Sequence, residues 1–213
     1  MVRGGRRPLA TAVMTLCFHL AAAGAAAAQG DDPGSFLISL SQRAIAELSD
    51  QTIGEAERQE RFRGLLETNF DMQAIGRFVL GVYARGAAPS EQAAFLATFK
   101  EVLAQRFLPY FRDDRGEAFT VDEVKPDPAN PRLSLVISNI TLADGNQLPV
   151  GWRIRRGEDG FKIIDVVAEG VSLAITFRSE YTSVLKRSSG DLPGLTAELR
   201  TKLASGSFTP ERD

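Results

Sequence analysis

Residues Phe161 to Arg178 read FKIIDVVAEGVSLAITFR, and the reading of this stretch decides the fold. Phe161 to Val167 is rich in β-branched and aromatic residues, which predicts a strand. Its apolar residues fall on both sides, with Phe161, Ile163 and Val167 on one and Ile164 and Val166 on the other. A strand apolar on both faces is expected to be covered on both. The run breaks at Glu169-Gly170, and a helical spacing then begins at Val171 and continues through Ala174, Phe177, Tyr181, Val184 and Leu185. A buried strand therefore feeds directly into a helix. Asp165 sits in the strand and Arg178 on the helix. A buried acid needs a charged or hydrogen-bonding partner, so Asp165 and Arg178 are expected to form a structural clasp.

Upstream of this joint the period is that of strands. Glu117 to Lys125 places Phe119, Val121 and, less cleanly, Val124 on one face, and Arg132 to Ile140 places Leu133, Leu135 and Ile137 together. Gln147 to Arg155 alternates with Leu148, Val150, Trp152 and Ile154 inward. Asp144-Gly145 is a hairpin signal, and Arg156 to Gly160 reads as a second turn. Four strands joined by short connections form an antiparallel meander.

Helical patterns lie on either side. Ser35 is placed to cap a helix carrying Phe36, Leu37, Leu40, Ala44, Ile45 and Leu48. Glu55 to Thr68 turns Phe62, Leu65 and Leu66 inward and its charges outward, and Asp71 caps a short helix through Phe78. Arg77 to Tyr83, RFVLGVY, is apolar all round apart from the arginine and reads as buried. Pro89-Ser90-Glu91 opens a helix with Phe95, Phe99, Val102, Leu103 and Phe107 inward, which Pro109 ends. Leu192 to Leu203 is a last helix. The expected class is α+β, with N-terminal helices, a four-stranded antiparallel meander and C-terminal helices packed on one sheet face, of the NTF2 or cystatin kind.

The start of the chain has the three-part pattern of a secretory signal peptide. Arg3, Arg6 and Arg7 precede the apolar run Leu9 to Ala23, and Ala26-Ala27-Ala28 offers small residues for cleavage after Ala28. The expected organisation is a signal peptide over 1–28, one domain over 29–205 and a flexible tail over 206–213. Cys17 and His19, the single cysteine and single histidine, leave with the signal. That excludes disulfides, cysteine or histidine metal sites and any nucleophile served by an imidazole. The remainder holds 22 basic and 27 acidic side chains, a net of −5, the wrong sign for a nucleic-acid binder.

Catalytic constellations are sparse. Asp165 and Glu169 could pose as paired carboxylates, but spacing alone has little value without a cleft, and a buried structural acid beside a solvated turn residue is the preferred reading. Ser172, after the Gly170 break, is placed to cap the following helix. Neither a glycine-rich phosphate loop nor a calcium loop occurs. The chain carries 13 Phe, several on elements that already have another apolar face. They either fill a core or line a cavity, and periodicity does not separate a wall of core from a wall of pocket.

The run from about Phe78 to Leu203 resembles the MlaC family, the toluene-tolerance auxiliary family of periplasmic phospholipid-binding proteins. The resemblance rests on RFVLGVY (77–83), EQAAFLATFKEVL (91–103), VGWRI (150–154) and FKIIDVVAEGVSLAITFRSEY (161–181). Thr176-Phe177 departs from the more polar pair expected before the arginine. A sister group is associated with hopanoid lipids, and RFVLG fits it too. The resemblance implies a non-enzymatic carrier without cofactor, its cargo a phospholipid. Its partners would be an outer-membrane lipoprotein–porin complex and an inner-membrane ABC transporter bearing an MCE domain, which together maintain outer-membrane lipid asymmetry. The expected cargo-lining residues are Phe78, Val82, Phe95, Phe99, Val150, Trp152, Ile164, Val166, Val171, Ile175 and Tyr181. Two other classes compete: an enzyme with a polar pocket around Asp165, and a lipid-free adaptor with a packed interior and an exposed apolar patch.

Overall fold

The structure is a computed structural model and describes residues 32–111, 118–141 and 145–210. The expected signal peptide, Asp144 of the expected hairpin and the end of the expected tail lie outside the described residues. Among the described residues, six α-helices and five strands follow the order α1 (Pro33–Leu48), α2 (Glu55–Asn69), α3 (Met72–Leu80), α4 (Pro89–Phe107), β1 (Phe119–Pro126), β2 (Leu133–Thr141), β3 (Gln147–Gly157), β4 (Gly160–Ala168), β5 (Val171–Ser172), α5 (Leu173–Arg187) and α6 (Leu192–Ala204). Short 3₁₀ turns, Gly81–Arg85 and Leu108–Phe111, follow α3 and α4. The α+β meander is as expected, with one strand more: all five pair antiparallel in the order β1-β2-β3-β4-β5.

The fifth strand exists because Glu169 and Gly170, both at positive φ (51° and 79°), reverse the chain in two residues. That geometry is a tight hairpin turn, and it lets Ala168 pair with Val171 and Val167 with Ser172. Farther along the same edge of β4, Phe70 bridges Ile163 and the Asp71 N–H donates to the Ile163 carbonyl at 2.9 Å. The link between α2 and α3 thus covers an edge that would otherwise be open to pairing.

A β-bulge corrects the reading of β4. Arg153 opposes Asp165 and Ile154 opposes Ile163, which leaves Ile164 without a partner. An extra residue shifts the side-chain alternation. Phe161 and Ile163 pack in the core while Ile164 and Val166 line the cavity described below. Ile164 and Val166 therefore share the inner face with Phe161 and Ile163, and Val167 is left on the outer face beside Gly151. A second bulge in β1 leaves Asp122 unpaired, and this is why Val121 and Val124 both approach α1, around Gly34.

The face of β2 is also the reverse of the expectation. Val136 and Ser138 are fully buried, while Leu133, Leu135 and Ile137 are half-buried on the outer face. There, a methyl placed on Gly151 would touch Leu135, Ile137 and Val167. Ser138 is tolerated inside because it is satisfied on both sides: its hydroxyl donates to the Val150 carbonyl and accepts from Trp152 Nε1 at 2.9 Å.

The helices start where capping residues allow. Asp32, rather than Ser35, caps α1, accepting from the N–H groups of Gly34 and Ser35. Asp71 caps α3 and Asp191 caps α6. At α4 the Glu91 side chain accepts from the Ala88 N–H, so the cap lies two residues before the expected Ser90. One charge on α2 is not outward: Arg58 is buried and donates to the carbonyls of Leu48, Asp50 and Ile53. It closes the C-terminal end of α1, where carbonyls lack helical partners.

Candidate functional site

Between the sheet and the helices lies a cavity of about 270 Å³. Its floor is Trp152 of β3 and Ile164 and Val166 of β4; its walls include Leu40 and Ala44 of α1, Leu65 of α2, Phe99 of α4 and Phe177 of α5. Among the described residues, Ser41 and Asp165 are the hydroxyl and carboxylate side chains on the lining, and no Lys or Arg of the described residues lines it. A chamber of this kind holds hydrocarbon and offers an ionic group nothing to pair with. Its more exposed lining gathers where α4 gives way to β1, with Phe107, Phe111 and Phe119 half-buried and Ala118 exposed. A second hollow, about 720 Å³, is a surface cleft lined largely by charged groups, among them the ion pairs Arg155–Asp71 and Lys100–Glu67.

Asp165 is held by the start of α5. One carboxylate oxygen accepts from the Ser172 hydroxyl at 2.7 Å and the other from the Ala174 N–H at 3.0 Å, while Arg153 Nε stands 3.8 Å away. Ser172 in turn accepts from the Ile175 N–H and caps the helix as expected. A carboxylate at a helix N-terminus is favoured both by free N–H groups and by the helix dipole. The expected Asp165–Arg178 clasp is not formed. Arg178 instead donates to the Phe78 carbonyl at 3.0 Å and lies over the Phe78 ring, 4.8 Å from its centre. Glu169 is exposed in the hairpin turn, apart from the cavity lining.

The expected cargo-lining residues separate into three groups. Phe99, Trp152, Ile164 and Val166 line the cavity. Phe95, Tyr181 and Val150 are buried but do not line it; Phe95 and Tyr181 belong to an aromatic cluster behind the wall, each within 6 Å of Phe99 centre to centre. Phe78, Val82, Val171 and Ile175 are on the outside, 41%, 61%, 56% and 55% exposed. The reason is rotational: α3 buries Ile75, Val79 and Leu80, which turns Phe78 away, and α5 buries Ala174, Phe177 and Tyr181, which turns Ile175 away. The lining of α1 and α2 was absent from the expected set. Its residues were legible as inward helix faces, but nothing in their spacing marks a hollow.

Fold and chamber together define a class: α+β proteins in which helices roof an antiparallel sheet over one apolar chamber. The sequence model of the family described as MlaC protein matches residues 39–201, and the chain belongs to that family. It is 23% identical over 147 residues to toluene tolerance protein Ttg2D of Pseudomonas putida, an alignment covering 67% of each chain. In fold it is similar to a phospholipid-binding protein of Ralstonia solanacearum solved in complex with a phospholipid, with a TM-score of 0.71, 16% identity and coverage of 83% of this chain and 99% of that one.

Proposed function

We propose that the protein is a periplasmic phospholipid carrier that shelters acyl chains in its cavity and shuttles lipid between an outer-membrane complex and an inner-membrane MCE-domain ABC transporter, without catalysis. The observation that carries this reading is the lining: a hydrocarbon surface with one bonded carboxylate and, among the described residues, no cation. The family membership and the phospholipid held by the Ralstonia relative support it, as does the signal-peptide pattern of residues 1–28 for the compartment.

The physics makes a carrier necessary. Each acyl CH₂ exposed to water costs about 0.8 kcal/mol, so two chains of roughly fifteen carbons cost on the order of 20 kcal/mol by the same increment. An escort must cover that surface. At about 270 Å³ the chamber is at the small end of ligand pockets, which span roughly 300–1,000 Å³. Loading two chains therefore moves the helices apart, and the head group stays outside, since the described lining is hydrocarbon apart from Ser41 and the bonded Asp165.

The test is to purify residues 29–213, extract them with organic solvent and examine the extract by mass spectrometry. Phospholipid is expected, and the emptied protein is expected to take up lipid from vesicles. A hopanoid in its place would move the chain to the sister group's cargo. Neither lipid nor uptake would sink the proposal.

A further inference from the structure

The apolar chamber and the charged cleft share a wall. Phe70, in the link between α2 and α3, and Met72, the first residue of α3, line both hollows. Met72 is buried and Phe70 half-buried. On one side of them lies hydrocarbon. On the other stand Glu67, Lys100, Arg155 and Lys162, in the cleft of about 720 Å³.

This wall is at the far end of the chamber from its more exposed lining. Phe119 pairs with Ile140 of β2. Phe70 bridges Ile163, which pairs with Ile154, which pairs with Ser134 of the same strand. The two levels are thus separated by the run from Ser134 to Ile140, a rise of about 20 Å. Carbon–carbon bonds of about 1.5 Å laid in a zigzag give an acyl chain of roughly fifteen carbons a length of about 18 Å. The chamber and such a chain match in length.

The wall is fastened to the sheet. The Asp71 N–H donates to the Ile163 carbonyl at 2.9 Å, the Asp71 carboxylate pairs with Arg155 of β3, and Lys162 of β4 donates to the Thr68 carbonyl. A roof that widens over a thicker cargo therefore leaves Phe70 at the sheet edge. Girth yields more readily than length.

We propose that Phe70 is the stop that sets the length of acyl chain the chamber holds, with the terminal methyl toward Phe70 and the ester end toward Phe119. This inference rests on the carrier reading given above and adds the length class of the cargo. Up to the stop, each methylene exchanges one hydrocarbon medium, the bilayer, for another, and length carries no preference. Past it, each further methylene is driven into the charged cleft or back out at the mouth, where it meets water. The cost is about fourfold in binding for each. The opposite orientation, with a head group in the cleft, fits poorly. Arg155 and Lys100 already hold Asp71 and Glu67 there, and a phosphate would have to displace those carboxylates.

The experiment uses the full chain, produced in its own cells, purified and incubated with vesicles of phosphatidylglycerols mixed over a graded series of saturated chain lengths. Bound lipid is extracted and compared with the vesicles by mass spectrometry. The unaltered protein is expected to hold the shorter lengths in vesicle proportion and to show a break, beyond which the bound share falls about fourfold for each methylene added to a chain. Phe70→Ala is expected to move the break to longer chains and to raise the share of lipids just past it by about tenfold or more. Phe70→Trp is expected to move it to shorter chains. Phe70→Leu, which keeps the wall apolar and spares its packing, should fall between Phe70→Ala and the unaltered protein, and thermal unfolding identifies which variants are folded. In the unaltered protein, a lipid with a diazirine at the terminal carbon of its acyl chain is expected to label the peptide bearing Phe70 and Met72. One with the diazirine beside the ester should label the peptides bearing Phe107, Phe111 and Phe119. The absence of a break, a break that no folded Phe70 variant moves, or labels exchanged between the two ends would each overturn the proposal. Loading without a break refutes the stop alone, whereas a protein that loads no lipid refutes the carrier reading and the stop with it.

Discussion

The carboxylate of Asp165 accepts the Ser172 hydroxyl at 2.7 Å, a contact that ties the bulged strand β4 to the first turn of α5. Because the carboxylate also holds the Ala174 N–H, replacing Asp165 by Ala strands two buried donors. The expected loss is about 2–3 kcal/mol, measured by urea unfolding. A double-mutant cycle separates this clasp from the one with Arg178. Asp165 and Ser172 should couple by about 1–2 kcal/mol, and Asp165 and Arg178 by less than about 0.5 kcal/mol. The reverse ranking would refute the described capping.

Trp152 is the sole tryptophan of the chain and lies on the cavity floor. Its emission therefore reports on the chamber. Lipids with brominated acyl chains should quench it when bound, and unbrominated lipids should not. Bromine on the head group should quench weakly, since the head stays outside. Equal quenching by both positions would place the cargo elsewhere.

The hydroxyl of Tyr181 is buried with no hydrogen-bond partner among the described residues, and its ring packs among Phe95, Phe99 and Phe177. An unpaired buried hydroxyl is a cost that phenylalanine does not carry, so Tyr181→Phe should raise stability by about 1 kcal/mol. Burial, and after it the charge of Glu180, pushes the phenol well above its ordinary value, which is about 10. Above that pH only the unfolded chain ionises at this position, so the Tyr181 contribution is constant below about pH 10 and falls as pH rises beyond it. The Tyr181→Phe chain should show a smaller alkaline decline. Identical declines in both chains would contradict the assignment.

Arg58→Ala should cost about 2–3 kcal/mol, since it leaves buried carbonyls at the end of α1 unpaired. Lysine should recover less than half of this, because one ammonium does not reproduce the fork that reaches Leu48, Asp50 and Ile53 together. Thermal unfolding of the three chains tests the ranking. A Lys variant as stable as the Arg58 chain would make charge, not geometry, the cause.

The class of fold was legible because helix and strand periods are local, and the turns at Gly160 and Gly170 announce themselves. What misled was alternation across a bulge. Ile164 and Val166 appear to oppose Ile163 only if every residue is counted, and Asp122 spoils the register of Val124 in the same way. Ser138 hid the inner face of β2, since a serine satisfied inside by Val150 and Trp152 looks like a surface residue in a string of letters. The cavity was half legible. Its sheet floor fell on residues singled out by the motif, whereas Phe78 and Ile175 were assigned inward because an apolar residue on a helix does not disclose which way the helix is turned. Arg58 and Arg178 show the same limit for charge: each finds carbonyls distant in sequence, which no local spacing predicts.

The bulge at Ile164 also sets how the chamber yields to what it holds. The floor is continuous with the core, since neighbouring residues of one strand serve both, and it is braced by hydrogen-bonded partners along the sheet. The roof is a set of separate helices joined by loops and turns. Expansion is therefore one-sided, like a bellows with a single rigid plate. Bulkier cargo is accommodated by helices riding upward, and relatives with different cargo should differ in the helices of the roof while sharing the same floor.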